Sequence, residues 1–92
     1  MRYKVGDRVV IRKDLVSGRH YHYENSMGGL FFNSHMYKLC GKTCVITGIT
    51  DPVLDEYFLS IDDEEVPWYF NNTMLLPANS LRYLVTTREA IS

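Results

Sequence analysis

The sequence predicts a single, mostly β domain built as a small barrel, and three observations carry that expectation. Lys4-Val5-Gly6-Asp7-Arg8-Val9-Val10-Ile11-Arg12 has the form of a first barrel strand entered through a Gly-Asp turn. Two further runs, Thr43-Cys44-Val45-Ile46-Thr47-Gly48-Ile49-Thr50 and Tyr57-Phe58-Leu59-Ser60-Ile61, are β-branched or aromatic and alternate with the period of a half-buried strand. Ninety-two residues with 46% hydrophobic and 23% charged side chains suffice for one core of a few kcal/mol net stability, but for no second domain.

Each element follows from its residues. In the first strand, residues 5–12, Val9 and Ile11 share one face while Arg8, Val10 and Arg12 share the other. Lys13 to Lys42 is then a connection of about thirty residues, dense in turn signals and unusually long for a compact domain unless it is functional or structured. Its second half, residues 34–41, reads as a short helical turn with Ser34 as N-cap, Gly41 as stop, and Met36, Leu39 and Cys40 facing inward. In the strand after it Cys44 and Ile46 face the core, and Gly48 marks a bulge or bend.

Tyr57, Leu59 and Ile61 face inward from the next strand, which runs into the acidic tip Asp62-Asp63-Glu64-Glu65. Pro67-Trp68-Tyr69-Phe70 supplies a return strand, giving a three-stranded meander flanked by the first strand. Asn71-Asn72-Thr73-Met74-Leu75-Leu76-Pro77 combines capping residues with a terminating proline, the pattern of one short helical turn. Residues 81–85 read as a last strand, with the start of a C-terminal helix, Leu81, Leu84 and Val85 inward, as the alternative.

Several classes are excluded or disfavoured. No apolar run reaches the ~20 residues of a membrane-spanning helix, and no signal-peptide core follows Met1-Arg2-Tyr3-Lys4, so a cytoplasmic location is expected. Cys40 and Cys44 are too few for a disulfide framework and read as packing residues. Net charge is only −1, yet residues 1–42 sum to +5 and the remainder to −6. Halves that fold against each other explain this, as would a basic face for nucleic acid or an acidic face for a basic partner.

Together the entry motif Lys4-Val5-Gly6-Asp7-Arg8-Val9, the loop residues Phe32-Asn33-Ser34-His35-Met36 with Leu39-Cys40-Gly41-Lys42, and Pro67-Trp68-Tyr69-Phe70 before a turn ending at Pro77 resemble the small SH3-like barrel proteins of phages, prophages and Gram-positive bacteria. In outline they also resemble, more distantly, the Mib/Herc2-type barrel. The resemblance covers about residues 3–77 and leaves an extension over 78–92. It implies a five-stranded barrel with a long first loop, acting as a non-enzymatic binding module with no catalytic residues and no cofactor. A phage or mobile-element protein would work in the cytoplasm of its bacterial host.

Three binding surfaces compete. Tyr21, Tyr23 and Phe32 from the long loop, with Trp68 and Tyr69 from the meander, would line a groove for a protein or peptide, including a proline-rich one; the same rings would equally fill a core. Arg8, Arg12, Lys13, Arg19, Lys38 and Lys42, interleaved with tyrosines, would instead bind phosphates and stack on bases, although a pI near 6.3 is low for that role. Four soft ligands, His20, His22, Cys40 and Cys44, would suit zinc if the fold gathered them. A Cys40–His35 catalytic pair lacks an orienting third group, and the acids at 62–65 read as a hydrated hairpin tip. Homo-oligomers would form through an exposed strand edge or through the opposite-charge faces.

Overall fold

A computed structural model describes residues 3–24, 26–51 and 53–78. It is mostly β, as expected, but divided into eight short strands rather than five: β1 (Arg8–Ile11), β2 (His20–His22), β3 (Gly29–Phe31), β4 (Thr43–Asp51), β5 (Glu56–Ile61), β6 (Glu64–Glu65), β7 (Phe70–Asn71) and β8 (Leu75–Pro77). The main sheet runs β6-β5-β4-β1-β8 with β7 also on β5, all antiparallel, and β2 and β3 form a separate hairpin.

Among the described residues no sheet closes on itself through backbone pairing. The wall continues instead through the chain: β7 lies on β5, β8 lies on β1, and a single 3₁₀ turn, Asn72–Met74, joins them. Asn71 caps that turn, its side-chain oxygen accepting from the Thr73 N–H at 3.1 Å. Leu75, Leu76 and Pro77, expected to complete the turn, form an edge strand, where a proline without an N–H is tolerated. The strand expected at 81–85 lies outside the described residues.

β1 is shorter than residues 5–12 because its first residues close a turn. The Lys4 N–H donates to Asp7 Oδ2 at 2.9 Å, the Asp7 N–H donates to the Lys4 carbonyl, and Gly6 takes φ +95°. Val9 and Ile11 enter the core as expected, but Val10 on the opposite face is also buried, between its cross-strand neighbours Thr43 and Leu76. β4 and β5 follow the alternation, with Cys44, Ile46, Tyr57 and Leu59 buried and a register shift at Gly48.

Several expectations are corrected in the connections. The long loop carries the β2–β3 hairpin, which its turn signals concealed, and its 3₁₀ turn spans only Tyr37–Leu39. Neither Ser34 nor any other side chain caps it; Met36 is the N-cap, and Asn33 closes the preceding turn by accepting from the Met36 N–H at 3.0 Å. The return strand expected at 67–70 is interrupted: β6 pairs beside Ser60 and Ile61, the Val66 N–H reaches the Leu59 carbonyl, and β7 pairs beside Glu56 and Tyr57. Pro67 carries no N–H, and the ladder lapses there before resuming at Phe70.

The core gathers Val9, Ile11, Ile46, Tyr57, Leu59, Phe70 and Met74 from the sheet side with Leu15, Phe32 and Met36 from the long loop. That loop is thus one wall of the core rather than a free excursion. No helix among the described residues is long and apolar enough to cross a membrane.

Candidate functional site

The five candidate contact rings do not meet in one groove. Phe32 is fully buried, and Tyr21 packs edge-on against it with ring centroids 6.2 Å apart. The Tyr21 hydroxyl accepts the Val16 N–H at 2.7 Å, and the Tyr21 carbonyl accepts from Asn71 Nδ2 at 2.7 Å. Tyr23, next along the hairpin, donates its hydroxyl to Glu56 Oε2 at 2.6 Å, while Thr50 Oγ1 donates to the other carboxylate oxygen at 2.6 Å. These bonds fasten the β2–β3 hairpin, which shares no backbone ladder with the main sheet, onto β5 and β7.

Charge at this clasp follows from burial. Glu56 is only 8% exposed and is compensated by two hydroxyl donors. Desolvation, reinforced by the hydrogen bond to Glu56 and the charges of Glu56 and Asp51, pushes the Tyr23 phenol up to about 12. Phe32 is therefore a core residue, while Tyr21 and Tyr23, half-buried, are engaged by the clasp's hydrogen bonds.

Trp68 and Tyr69 diverge. Tyr69 turns out onto Phe58 of β5, ring centroids 4.9 Å apart at 73°, and stays 46% exposed. Trp68 is half-buried and lines a cleft of about 380 Å³ between the 3₁₀ turn at Tyr37–Leu39 and the β5–β6 hairpin.

Both walls of the cleft are held by local structure. On one side Gly41, at φ +81°, reverses the chain after the 3₁₀ turn. Its N–H donates to the Ile11 carbonyl at 2.7 Å, and the Ile11 N–H donates to the Lys42 carbonyl at 3.0 Å, which pins Lys42 beside β1. On the other side Asp62 and Asp63 take φ +51° and +65°, the two left-handed positions of a tight hairpin turn, and set Glu64 opposite Ile61.

The floor is Leu39, Ile61, Val66, Pro67 and Trp68. Lys38 and Lys42 rise from one wall, Asp62, Glu64 and Glu65 from the other. None of these five side chains makes an ion pair or hydrogen bond among the described residues.

Of the basic residues, only Lys38 and Lys42 come together with an aromatic ring in this cleft. Arg12 is taken up by Asp14, its Nε and one terminal nitrogen donating to the two carboxylate oxygens at 2.9 and 2.6 Å while the other donates to the Thr73 carbonyl at 3.0 Å. Arg8 lies in a separate depression with Asp62 and Asp63, the Lys13 stem crosses Gly41, and Arg19 is exposed in the turn before β2. No one-sign stripe results, and acids border Arg8, Arg12 and the two cleft lysines.

The four soft donors are likewise dispersed. His20 packs on Phe31 with ring centroids 5.1 Å apart, and His22 Nδ1 lies 3.3 Å from the Gly28 carbonyl, both exposed on β2. Cys40 is half-buried and Cys44 buried, and both are free thiols. Burial pushes the Cys44 thiol up to about 11 and raises that of Cys40, so neither has thiolate character at neutral pH. Among the described residues no group of three or more His, Cys, Asp or Glu is arranged to hold a metal ion.

Sequence reasoning missed Asp62, Glu64 and Glu65 as cleft residues, taking them for a solubilising tip. The signal was the opposite charge of the two chain halves, which the fold brings face to face in this cleft and, through Arg8 with Asp62 and Asp63, beside it. Against known proteins, the chain matches no family model, no curated protein and no solved structure. Its class is therefore defined by architecture alone: an antiparallel β domain with a hairpin clasped to its core and a charged, Trp-floored cleft.

Proposed function

We propose that the domain is a non-catalytic, SH3-like module that binds a short peptide segment of a protein partner in the Trp68 cleft. An accessory role in a phage or mobile element, in the cytoplasm of the host, fits this reading. The SH3-like assignment is supported by the order β5-β4-β1-β8 and by residues 70–77, which bridge from β5 to β1 through one 3₁₀ turn. A binding rather than catalytic role is supported by thiols held protonated and by acids that flank a hydrated turn instead of converging.

The observation that carries the proposal is the half-buried Trp68 flooring a concave cleft beside Pro67 and between two charged rims. A flat, rigid ring with one N–H donor supplies contact area at little entropic cost, the usual chemistry of a peptide anchor. Trp68 is also the sole tryptophan of the chain, so its fluorescence reports on the cleft alone. Probing an immobilised array of decapeptides, proline-rich ones included, tests the reading. Wild-type protein should retain a subset of spots that Trp68→Ala loses at least about tenfold. Identical patterns for the two proteins would contradict it.

A further inference from the structure

The rims of the Trp68 cleft carry opposite charge, and that arrangement selects among peptides. Lys38 and Lys42 project from the 3₁₀ turn and the start of β4, whereas Asp62, Glu64 and Glu65 project from the β5–β6 hairpin. In a chain whose net charge is −1, five exposed charges around one cleft of about 380 Å³ would neutralise each other if the walls met. They do not meet: none of the five pairs with another among the described residues. Apolar side chains hold the walls apart, since Leu39, Ile61 and Trp68 pack onto the core below them.

A singly charged segment laid in this cleft would leave one rim facing only water, and a neutral one would leave both. A segment bearing both signs satisfies both, and it presents an apolar stretch to Trp68 between them. From these walls, and resting on the peptide-binding reading above, we infer that the preferred partner segment is two-signed. It has an acidic residue facing Lys38 and Lys42, a basic residue facing Asp62, Glu64 and Glu65, and one to three apolar residues between. In an extended backbone each residue advances about 3.3 Å, so this spacing lets the two charges diverge to opposite rims while the centre stays over the ring. Exposed rim charges act mainly on selectivity and association rate, with strong screening by salt.

The test uses the intact chain, Trp68 fluorescence and synthetic peptides with a Pro-Leu centre. The flanks are Asp and Arg in both orders, Asp alone, Arg alone, or neutral Ser. At 20 mM salt the better of the two Asp/Arg peptides should bind about three- to tenfold tighter than the neutral one, and the advantage should vanish at 0.5 M salt. In the double variant Lys38→Glu, Lys42→Glu, exposed positions that leave the core untouched, the acid should become unfavourable, and an Arg/Arg peptide should recover the affinity lost. Neutral and two-signed peptides binding wild type equally would overturn the inference while leaving the cleft as the binding site. Failure of every peptide to alter Trp68 fluorescence would overturn both.

Discussion

The β2–β3 clasp and the Trp68 cleft are both built from aromatic residues beside charge, yet they do opposite things. At the clasp three rings are committed: Phe32 to the core, the Tyr21 hydroxyl to the Val16 N–H, the Tyr23 hydroxyl to the buried Glu56 carboxylate. At the cleft the ring is half-open and the surrounding charges are unpaired among the described residues. Partner satisfaction, rather than residue type, separates structural aromatics from contact aromatics here. A tyrosine whose hydroxyl already holds a buried carboxylate cannot leave it for a ligand without stranding that charge.

Truncating a core ring should have the largest effect. Phe32→Ala removes a fully buried phenyl that joins the long loop to the sheet, and should lower unfolding free energy by about 3–5 kcal/mol in a denaturant titration. For a domain of this size that approaches the whole of its stability. A loss below about 1 kcal/mol would show that the loop is not part of the core.

Next comes the clasp. Tyr23→Phe should cost about 1 kcal/mol, less than a fully buried hydrogen bond to a carboxylate because the phenol is partly solvated. The sign with pH is specific. The folded-state phenol lies near 12, above its ordinary value of 10.0, so its stabilisation is complete below about pH 10 and is lost as pH rises towards 12. Wild type should therefore lose stability over that interval more steeply than Tyr23→Phe, as read from unfolding midpoints against pH. Parallel profiles would show that the phenol is not coupled to folding.

Smallest is the structural effect of the cleft charges. Lys38→Ala and Glu64→Ala should each change stability by no more than about 0.5 kcal/mol, because their side chains are exposed and unpaired among the described residues. Losses above about 1 kcal/mol would mean that the rims maintain the fold rather than await a ligand.

The same contrast explains what was legible in the sequence. β1, β4 and β5 announce themselves because each has one face in the core, and Gly48 and Asn71 each have a single local reason to stand where they do. The β2–β3 hairpin was hidden because its strands are three residues each and its pairing skips six residues between His22 and Gly29 instead of two. The hairpin tip at 62–65 was legible, since aspartate tolerates the left-handed region that Asp62 and Asp63 adopt, but its place as a cleft wall depends on the 3₁₀ turn more than twenty residues earlier. Tyr21 and Tyr23 could not be told from Trp68, because their partners Val16, Glu56 and Asn71 lie up to 50 residues away in sequence.

The division between clasp and cleft is tested most directly by mapping backbone amide chemical shifts during titration with the tightest-binding Asp/Arg peptide. Saturable shifts should concentrate at Lys38, Leu39, Lys42, Ile61, Glu64, Glu65, Val66 and Trp68, while His20, Tyr21, Tyr23 and Glu56 stay unmoved. Shifts centred on the β2–β3 hairpin, with Trp68 and its neighbours unchanged, would contradict the account.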